Sequence, residues 1–465
     1  MLFDVVVLGG GPGGYIAAIK AGRAGFKTAL VEMDSLGGTC LNRGCIPTKH
    51  FLHVADVFYN FAKNDDGLCA DNIKYDMATI YKKKNEVVAK LVSGIEKLLE
   101  NSSVTVFKGR GKLESKTCLS IENLEGANTS EKIEFKKLII ATGSLVFTPP
   151  INGIEEAYTS DDILSFDPVQ FESVIIIGGG VIGVEFATMY AKLGKSVTII
   201  ELEKTILPPF DRDVAMQQAL SLKKMGVKIV NGAKVTNIKK TSCTYELKGK
   251  SETVEAQALI VCIGRIANTE GMGFENAGIE FDKRGIITNE FMQTNVENIF
   301  AIGDVVKGNV MLAHNAENQA CLVVENWLKE QKGETKRQRL NLIPSCVYST
   351  PEIASVGMSE KEAEAKSLTL KIGKVPMGAN GKSVLSGSEV GFIKVMFDDE
   401  DVLVGVQMMC LQATDMIGAI STLIANKTTR SDILSSMYPH PTVCEAFYQA
   451  VEDVEKHATC MIYKK

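Results

Sequence analysis

The sequence, 465 residues long, contains no run of 18 apolar residues. Its richest apolar stretch, "VIIIGGGVIGV", is punctuated by glycines and ends at Glu185, so a membrane-spanning helix is not expected. No long block of like charge occurs either, and the formal net charge is −5. Nucleic acid is therefore not the expected partner. A disulfide framework is also missing: the eleven cysteines are scattered and odd in number, which points to a reducing compartment. The opening "MLFDVVVLGGG" reads as a strand running straight into a glycine turn, with no room for a signal or transit peptide. Cytoplasm is the expected location, or the mitochondrial matrix if a transit peptide has been removed. The rest of the composition is ordinary for a globular chain, 45% apolar and 23% charged, and the length suggests three domains.

One supersecondary unit occurs twice, as "FDVVVLGGGPGGYIAAIKAGRAGFKTALVEM" and "ESVIIIGGGVIGVEFATMYAKLGKSVTIIEL". Each begins with a Val/Ile-rich run, read as a buried parallel strand. Each continues through G-x-G-x-x-G, at Gly9, Gly11, Gly14 and at Gly178, Gly180, Gly183. A helical pattern follows, then a second strand ending in an acid, Glu32 or Glu201, at the same spacing in both copies. This is the layout of a Rossmann-like dinucleotide fingerprint. The first glycine permits the tight turn, the second lets backbone approach a pyrophosphate, and the third lets helix and strand pack closely. The helix N-terminus offers its N–H groups to the phosphates, and the acid accepts a ribose diol. Two such sites imply two dinucleotides with electron or hydride transfer between them. A carboxylate at Glu201, with only Lys204 nearby, favours NAD over NADP.

Residues 50–100 read as mostly helical, with a loop near "NDDGLCADN". Alternating strands run from "SSVTVFKGRGKLESKTCLSIE" to "KLIIATGS", a buried strand ending in a small-residue turn at Thr142 and Gly143. "ALIVCIGRIANTE" repeats that design at Gly264 and Arg265, and "TNVENIFAIGDVV" is another strand, ending at Asp304. From about residue 342 the pattern becomes that of an antiparallel sheet with helices on one face, a separate α+β domain.

The segment "GGTCLNRGCIPTK" holds Cys40 and Cys45 as C-x-x-x-x-C. A zinc site needs about four ligands, usually as two close pairs, and only one pair is here; the nearby His50 and His53 do not complete it, so no metal is expected. A structural staple closes so short a loop that little chain entropy is removed. A redox pair is the leading reading. Five residues of ideal helix rise about 7.5 Å, beyond the roughly 7 Å Cα limit for a disulfide. The first turn must therefore be distorted, and Gly44 is the residue that permits it. A cysteine near a helix N-terminus gains thiolate character from the macrodipole.

The set "GGTCLNRGCIPTK", "ATGS", "GGGVIGVEFA", "CIGRIAN", "TNVENIFAIGD", "MLAHNAENQA", "VYSTPEIASVG" and "HPTVCEAF" resembles the flavoprotein disulfide reductases, from Phe3 to about Val451. The resemblance implies an α/β architecture of two Rossmann-like domains, for FAD and NAD, plus a C-terminal α+β dimerisation domain. It implies boundaries at 1–147 and 270–341 for the FAD domain, 148–269 for the NAD domain and 342–465 for the interface domain. FAD would be tightly bound without a covalent link, through Gly9, Gly11, Gly14, Glu32, Thr39, Gly111, Thr142, Gly143, Asp304 and Ala313. Lys49 would sit near the flavin, paired with Glu185. NAD would be held through Gly178, Gly180, Gly183, Glu201, Val235, Gly264 and Arg265. Cys45 would lie against the flavin, and Cys40 would be the interchange thiol facing substrate.

A thiol needs a base to attack a disulfide at neutral pH. The candidate is His440, stiffened by Pro439 and Pro441, with a cis bond expected at His440–Pro441. Glu445 has two readings: it orients the imidazole, or it closes a Thr442-x-x-Glu445 capping box. In the family this His–Glu pair reaches the cysteines of the partner in a homodimer. His314 reads as a helix-start residue beside FAD rather than a second base. The implied reaction is oxidation of dihydrolipoamide to lipoamide with electrons passing to NAD. The implied setting is the lipoyl-bearing acyltransferase core of 2-oxo acid dehydrogenase complexes or the glycine cleavage system. A glutathione-type reductase of the same family is the alternative; its usual NADPH and basic residues fit poorly with Glu201, Leu202 and Glu203.

Overall fold

The computed structural model describes residues 1–63, 72–123, 130–165 and 171–463. The loop expected near "NDDGLCADN" falls largely on residues 64–71, outside the described residues, as does Cys69.

Both copies of the repeated unit fold alike. In the first, strand Leu2–Leu8 leads into helix Pro12–Arg23 and then strand Thr28–Glu32, which pairs with the first strand in parallel. In the second, Ser173–Ile177, Val181–Lys192 and Ser196–Glu201 repeat the order and the parallel pairing. Apolar side chains on both faces of these strands are buried, as a sheet covered on both sides requires. Each strand therefore ends pointing its glycine turn in the same way, at the C-terminal edge of its sheet. Ligands of open α/β sheets bind at that edge.

The first sheet has seven strands. Its long strand Ser130–Ile140 pairs in parallel with Leu2–Leu8 on one side. On its other side it pairs antiparallel with Cys118–Glu122 and, further along, parallel with Ile299–Ala301. The return strand at 299–301 thus lies in the same sheet as residues 2–8, although the second unit separates them in sequence. A two-stranded antiparallel ribbon, Ser144–Val146 with Arg265–Ala267, marks where the chain leaves the first unit and comes back.

The C-terminal sheet has five antiparallel strands. Alternation along them sorts the side chains by face. Ala354, Val356, Val406, Met408, Ile393 and Val395 pack under helices Ala413–Ala425 and Glu445–Asp453. Their neighbours Ile353, Met409 and Phe392 point the other way, into a core shared with the second unit. Phe51, Leu52 and Ala55 join that same core. They belong to helix Cys45–Lys63, so the segment after the cysteine pair is clamped where the units meet.

Candidate active site

The three glycines of each turn do different work. Gly9 and Gly178 have φ of 103° and 106°, a region side chains rarely adopt. A Cβ on Gly14 would collide with the carbonyl of Gly9, and one on Gly183 with that of Gly178. These positions serve helix–strand packing. At the middle position the protein makes no such demand: a Cβ on Gly180 meets nothing within 4 Å, and on Gly11 its nearest neighbour is 4.0 Å away. That free space lies at the N-terminus of each helix. Gly11 and Gly180 are the N-caps and supply no side-chain hydrogen bond. The first-turn N–H groups thus form an open anion seat, which fits a pyrophosphate.

Glu32 and Glu201 are held identically. The N–H of Gly10 donates to Glu32 Oε2 at 2.5 Å, and that of Asp34 to Oε1 at 2.8 Å. The N–H of Gly179 donates to Glu201 Oε2 at 2.5 Å, and that of Glu203 to Oε1 at 2.7 Å. Each carboxylate is thereby fixed at the rim of its glycine turn. Burial pushes the Glu32 carboxyl up from its ordinary value.

The cysteine segment breaks at Gly44. One helix, Gly38–Arg43, stops there, and another, Cys45–Lys63, begins at once. The chain folds back so closely that a Cβ on Gly44 would lie 2.8 Å from the Thr39 carbonyl oxygen and 3.3 Å from Cys40 Cα. Cys40 and Cys45 are free thiols here. The Cys40 thiol donates to Cys45, which, with the nearby Lys49 charge, pulls Cys45 down to about 7. The same bond, burial and the Glu317 charge push Cys40 up. The pair is therefore polarised, with thiolate favoured at Cys45.

Lys49 follows Cys45 by one helical turn, on the same face. Its Nζ lies 3.1 and 3.0 Å from Glu185 Oε1 and Oε2, the pairing expected from sequence. Tyr348 completes this arrangement and is not evident from sequence patterning. Its N–H donates to Glu185 Oε1 at 3.0 Å, and its ring lies 4.3 Å from Lys49 Nζ.

These groups open on one cleft of about 1590 Å³. Its lining includes Gly9, Gly11, Glu32, Thr39, Cys40, Cys45, Lys49, Gly111, Thr142, Gly143, Asp304 and Ala313. It continues to Gly178, Gly180, Glu185, Glu201, Val235, Gly264 and Arg265. Gly14 and Gly183 sit behind it. Arg265 brings its guanidinium to the ribbon between the units. Nε donates to Ser144 Oγ at 2.8 Å, and the Nη atoms reach Ser144 O, Asp161 and Thr39. Ser144 in turn donates to Asp304 Oδ2 at 2.7 Å. Arg265 thus ties the ribbon between the units to Asp304. His314 stands in the first turn of helix Ala313–Gln331 at the rim, with Nε2 2.8 Å from Pro344 O. His50 faces the other way, toward helix Met77–Asn101, and its buried Nε2 has no partner among the described residues.

His440 and Glu445 do not line this cleft. His440 is 77% exposed, with Nδ1 2.9 Å from Glu445 Oε1. The His440–Pro441 bond is cis. The N–H of Thr442 donates to Glu445 Oε2 at 2.8 Å, so one carboxylate oxygen serves the ring and the other the backbone. The capping-box reading needs correction. The Thr442 hydroxyl donates to Pro439 O, and the helix starts at Glu445 itself, with Cys444 as N-cap.

A reactive thiol pair between two dinucleotide turns defines a nucleotide-dependent disulfide oxidoreductase, and the chain belongs to the pyridine nucleotide-disulphide oxidoreductase family. The model of that family matches residues 3–320, and the model of its dimerisation domain matches residues 343–451. A dihydrolipoyl dehydrogenase of Bacillus subtilis is 37% identical over 467 residues, 96% of this chain and 97% of the relative. The mitochondrial dihydrolipoyl dehydrogenase of Pisum sativum is 35% identical, over 96% of this chain and 90% of its own. Among solved structures, the HOCl-induced flavoprotein disulfide reductase RclA from Escherichia coli is similar with a TM-score of 0.84 at 27% identity. That likeness covers 97% of this chain and 99% of RclA. No helix among the described residues is long and apolar enough to cross a membrane.

Proposed function

We propose that the protein is an NAD-dependent dihydrolipoyl dehydrogenase, oxidising dihydrolipoamide to lipoamide. The observation that carries this reading is the single cleft onto which both glycine turns and both thiols open. Curated relatives matched over nearly the whole chain bear that name, which favours a lipoyl dithiol over glutathione. The first turn, with Glu32, Thr39, Gly111, Thr142, Gly143, Asp304 and Ala313, is assigned to FAD. The second, with Glu201, Val235 and Gly264, is assigned to NAD. A buried carboxylate at Glu201 repels a 2′-phosphate, so NADP is disfavoured.

The residues divide the work as follows. His440 takes the proton of one substrate thiol, held by Glu445 in the orientation that leaves Nε2 free. In the oxidised form the pair is a Cys40–Cys45 disulfide, and the substrate thiolate attacks Cys40 Sγ and breaks it. Cys45 leaves as thiolate, supported by Lys49 and by its place at a helix N-terminus. His440 passes its proton to Cys40 as that thiol leaves and accepts the proton of the second substrate thiol, which closes lipoamide and leaves the pair reduced. Bound at the first turn, FAD would supply the two-electron chemistry that links the reduced pair to NAD.

Because His440 stands outside its own cleft, it is assigned to the cysteine pair of the partner subunit in a homodimer. Residues 1–147 and 270–341 are assigned to the FAD unit, 148–269 to the NAD unit and 342–465 to the interface. The same reading places the protein with the lipoyl-bearing core of a 2-oxo acid dehydrogenase complex or the glycine cleavage system, in cytoplasm or mitochondrial matrix. The test is steady-state NAD reduction by dihydrolipoamide, set against NADPH oxidation by glutathione disulfide. Activity in the second assay and not the first overturns the proposal.

A further inference from the structure

The strap 202–211 joins Glu201 to helix Arg212–Lys224 and crosses the second glycine turn. Its middle is pinned to that turn. The N–H of Leu207 donates to Gly179 O at 2.8 Å, and Ile206 packs so tightly that a Cβ on Gly179 would lie 2.7 Å from Ile206 Cγ2. Ile206 and Leu207 are fully buried, and Leu207 holds a φ of 51°. The following residues Pro208, Pro209 and Phe210 line the cleft beside Glu201.

The far end of the strap is gripped by a different domain. Asp211 makes no side-chain cap to its own helix. Its carboxylate instead accepts the N–H groups of Glu360 and Lys361, both at 3.2 Å. Lys361 Nζ reaches back to Pro208 O at 3.4 Å. Lys394, on the C-terminal strand Phe392–Phe397, is 1% exposed and drives its ammonium into the same place. Its Nζ lies 2.9 Å from Asp211 Oδ2, 3.0 Å from Asp213 Oδ1 and 2.5 Å from Glu360 Oε1. Three carboxylates meet the three donors of one ammonium. Those carboxylates lie within 4.8 Å of one another, the spacing of a cation site, and Lys394 supplies the cation.

A buried ion cluster of this kind is a poor source of net stability, since well-packed apolar residues do as well. Its distinctive effect is positional. Without Lys394, Asp211, Asp213 and Glu360 face one another with like charge, and the strap end is pushed off. We propose that Lys394 is a positioning residue for the nicotinamide dinucleotide, holding the strap against the second glycine turn from the C-terminal domain. The proposal rests on the assignment of that turn to NAD.

The test uses the FAD-loaded full-length protein. NADH affinity is read by fluorescence titration, and reduction by dihydrolipoamide alone is followed separately in a stopped-flow instrument. Lys394→Met is expected to raise the NADH Kd about ten-fold, as when the competent strap conformation falls to roughly a tenth. The dihydrolipoamide half-reaction is expected to keep its rate, and Lys394→Arg, which restores a cation, to recover most of the affinity. Lys374→Met is the control: Lys374 touches Asp213 at 2.6 Å and not the strap, so NADH affinity should hold. Should Lys394→Met fail to retain FAD, Asp211→Asn gives the milder version, weakening the strap's own bond to Lys394, with a smaller loss of NADH affinity expected. Unchanged NADH affinity in folded Lys394→Met, or in Asp211→Asn where that variant is used, overturns the proposal, as does equal loss in both half-reactions. Wild-type protein that is reduced by dihydrolipoamide yet does not bind NADH refutes the NAD assignment itself.

Discussion

Replacing Lys49 by Met removes a cation beside the polarised thiol pair, and the consequence can be worked through from the site. Cys45 is drawn from its ordinary 9.0 down to about 7, chiefly by the hydrogen bond from Cys40 and then by Lys49, against the opposing effects of burial and Glu185. A cation at close range is worth roughly one to three units to an acidic group. Taking the lower end, loss of Lys49 moves the midpoint to about 8, and the thiolate fraction at pH 7 falls from about a half to about a tenth. Glu185→Gln removes the opposing charge and moves the midpoint the other way. The assay is the pH dependence of alkylation of the reduced protein by iodoacetamide, taking the first midpoint because the two thiols titrate as a unit. The depressed Cys45 value contributes stability that is lost as pH falls from 9 through 7, whereas the raised Cys40 thiol withdraws stability as pH rises above 9. Lys49→Met should flatten that dependence. It should also lower stability, because Glu185 is only 5% exposed and loses its counterion. A broken buried pair costs about 3–5 kcal/mol, but Lys49 is 31% exposed and screened, so about 2 kcal/mol is expected. A midpoint that stays put or falls in Lys49→Met refutes the electrostatic account of Cys45.

Other substitutions separate fold from function. Gly180→Ala should keep the melting temperature and weaken NADH binding, whereas Gly183→Ala, which meets the Gly178 carbonyl, should lower the melting temperature; equal destabilisation by both would contradict the division of roles among the glycines. Gly44→Ala places a Cβ 2.8 Å from the Thr39 carbonyl oxygen and should cost about 1–3 kcal/mol in denaturant titration of the reduced protein, so unchanged stability there tells against the close fold-back. His440→Gln should slow dihydrolipoamide turnover by about 10² or more while sparing NADH oxidation by an artificial acceptor. Equal loss of the two activities would remove His440 from the base role.

The sequence was most informative where structure is local. Strand, glycine turn, helix and acid recur at one spacing because each backbone requirement there is met within about thirty residues. The break between Cys40 and Cys45 was anticipated for a similar reason: helix rise alone rules out their meeting without a bend at Gly44. Contacts between distant segments left little trace. Tyr348 reaches Glu185 through a backbone N–H, which no side-chain pattern encodes. Lys394 carries no signal in the sequence, because its partners are brought near only when the C-terminal sheet docks on the second unit. Arg265, placed with NAD by resemblance, satisfies most of its donors with Ser144, Asp161 and Thr39, a preference set by the neighbouring strand rather than by its own turn.

The ribbon Ser144–Val146 with Arg265–Ala267 carries a further meaning. Everything between its strands enters and leaves through two points lying side by side. A segment with adjacent ends is a cassette: it can be lengthened, exchanged or replaced without re-routing the rest of the chain. On the proposed assignment of that segment to NAD, the nucleotide site is modular with respect to the thiol chemistry. Grafting at the ribbon is the natural route to a different nucleotide partner, provided that the incoming cassette brings an aspartate to meet Lys394.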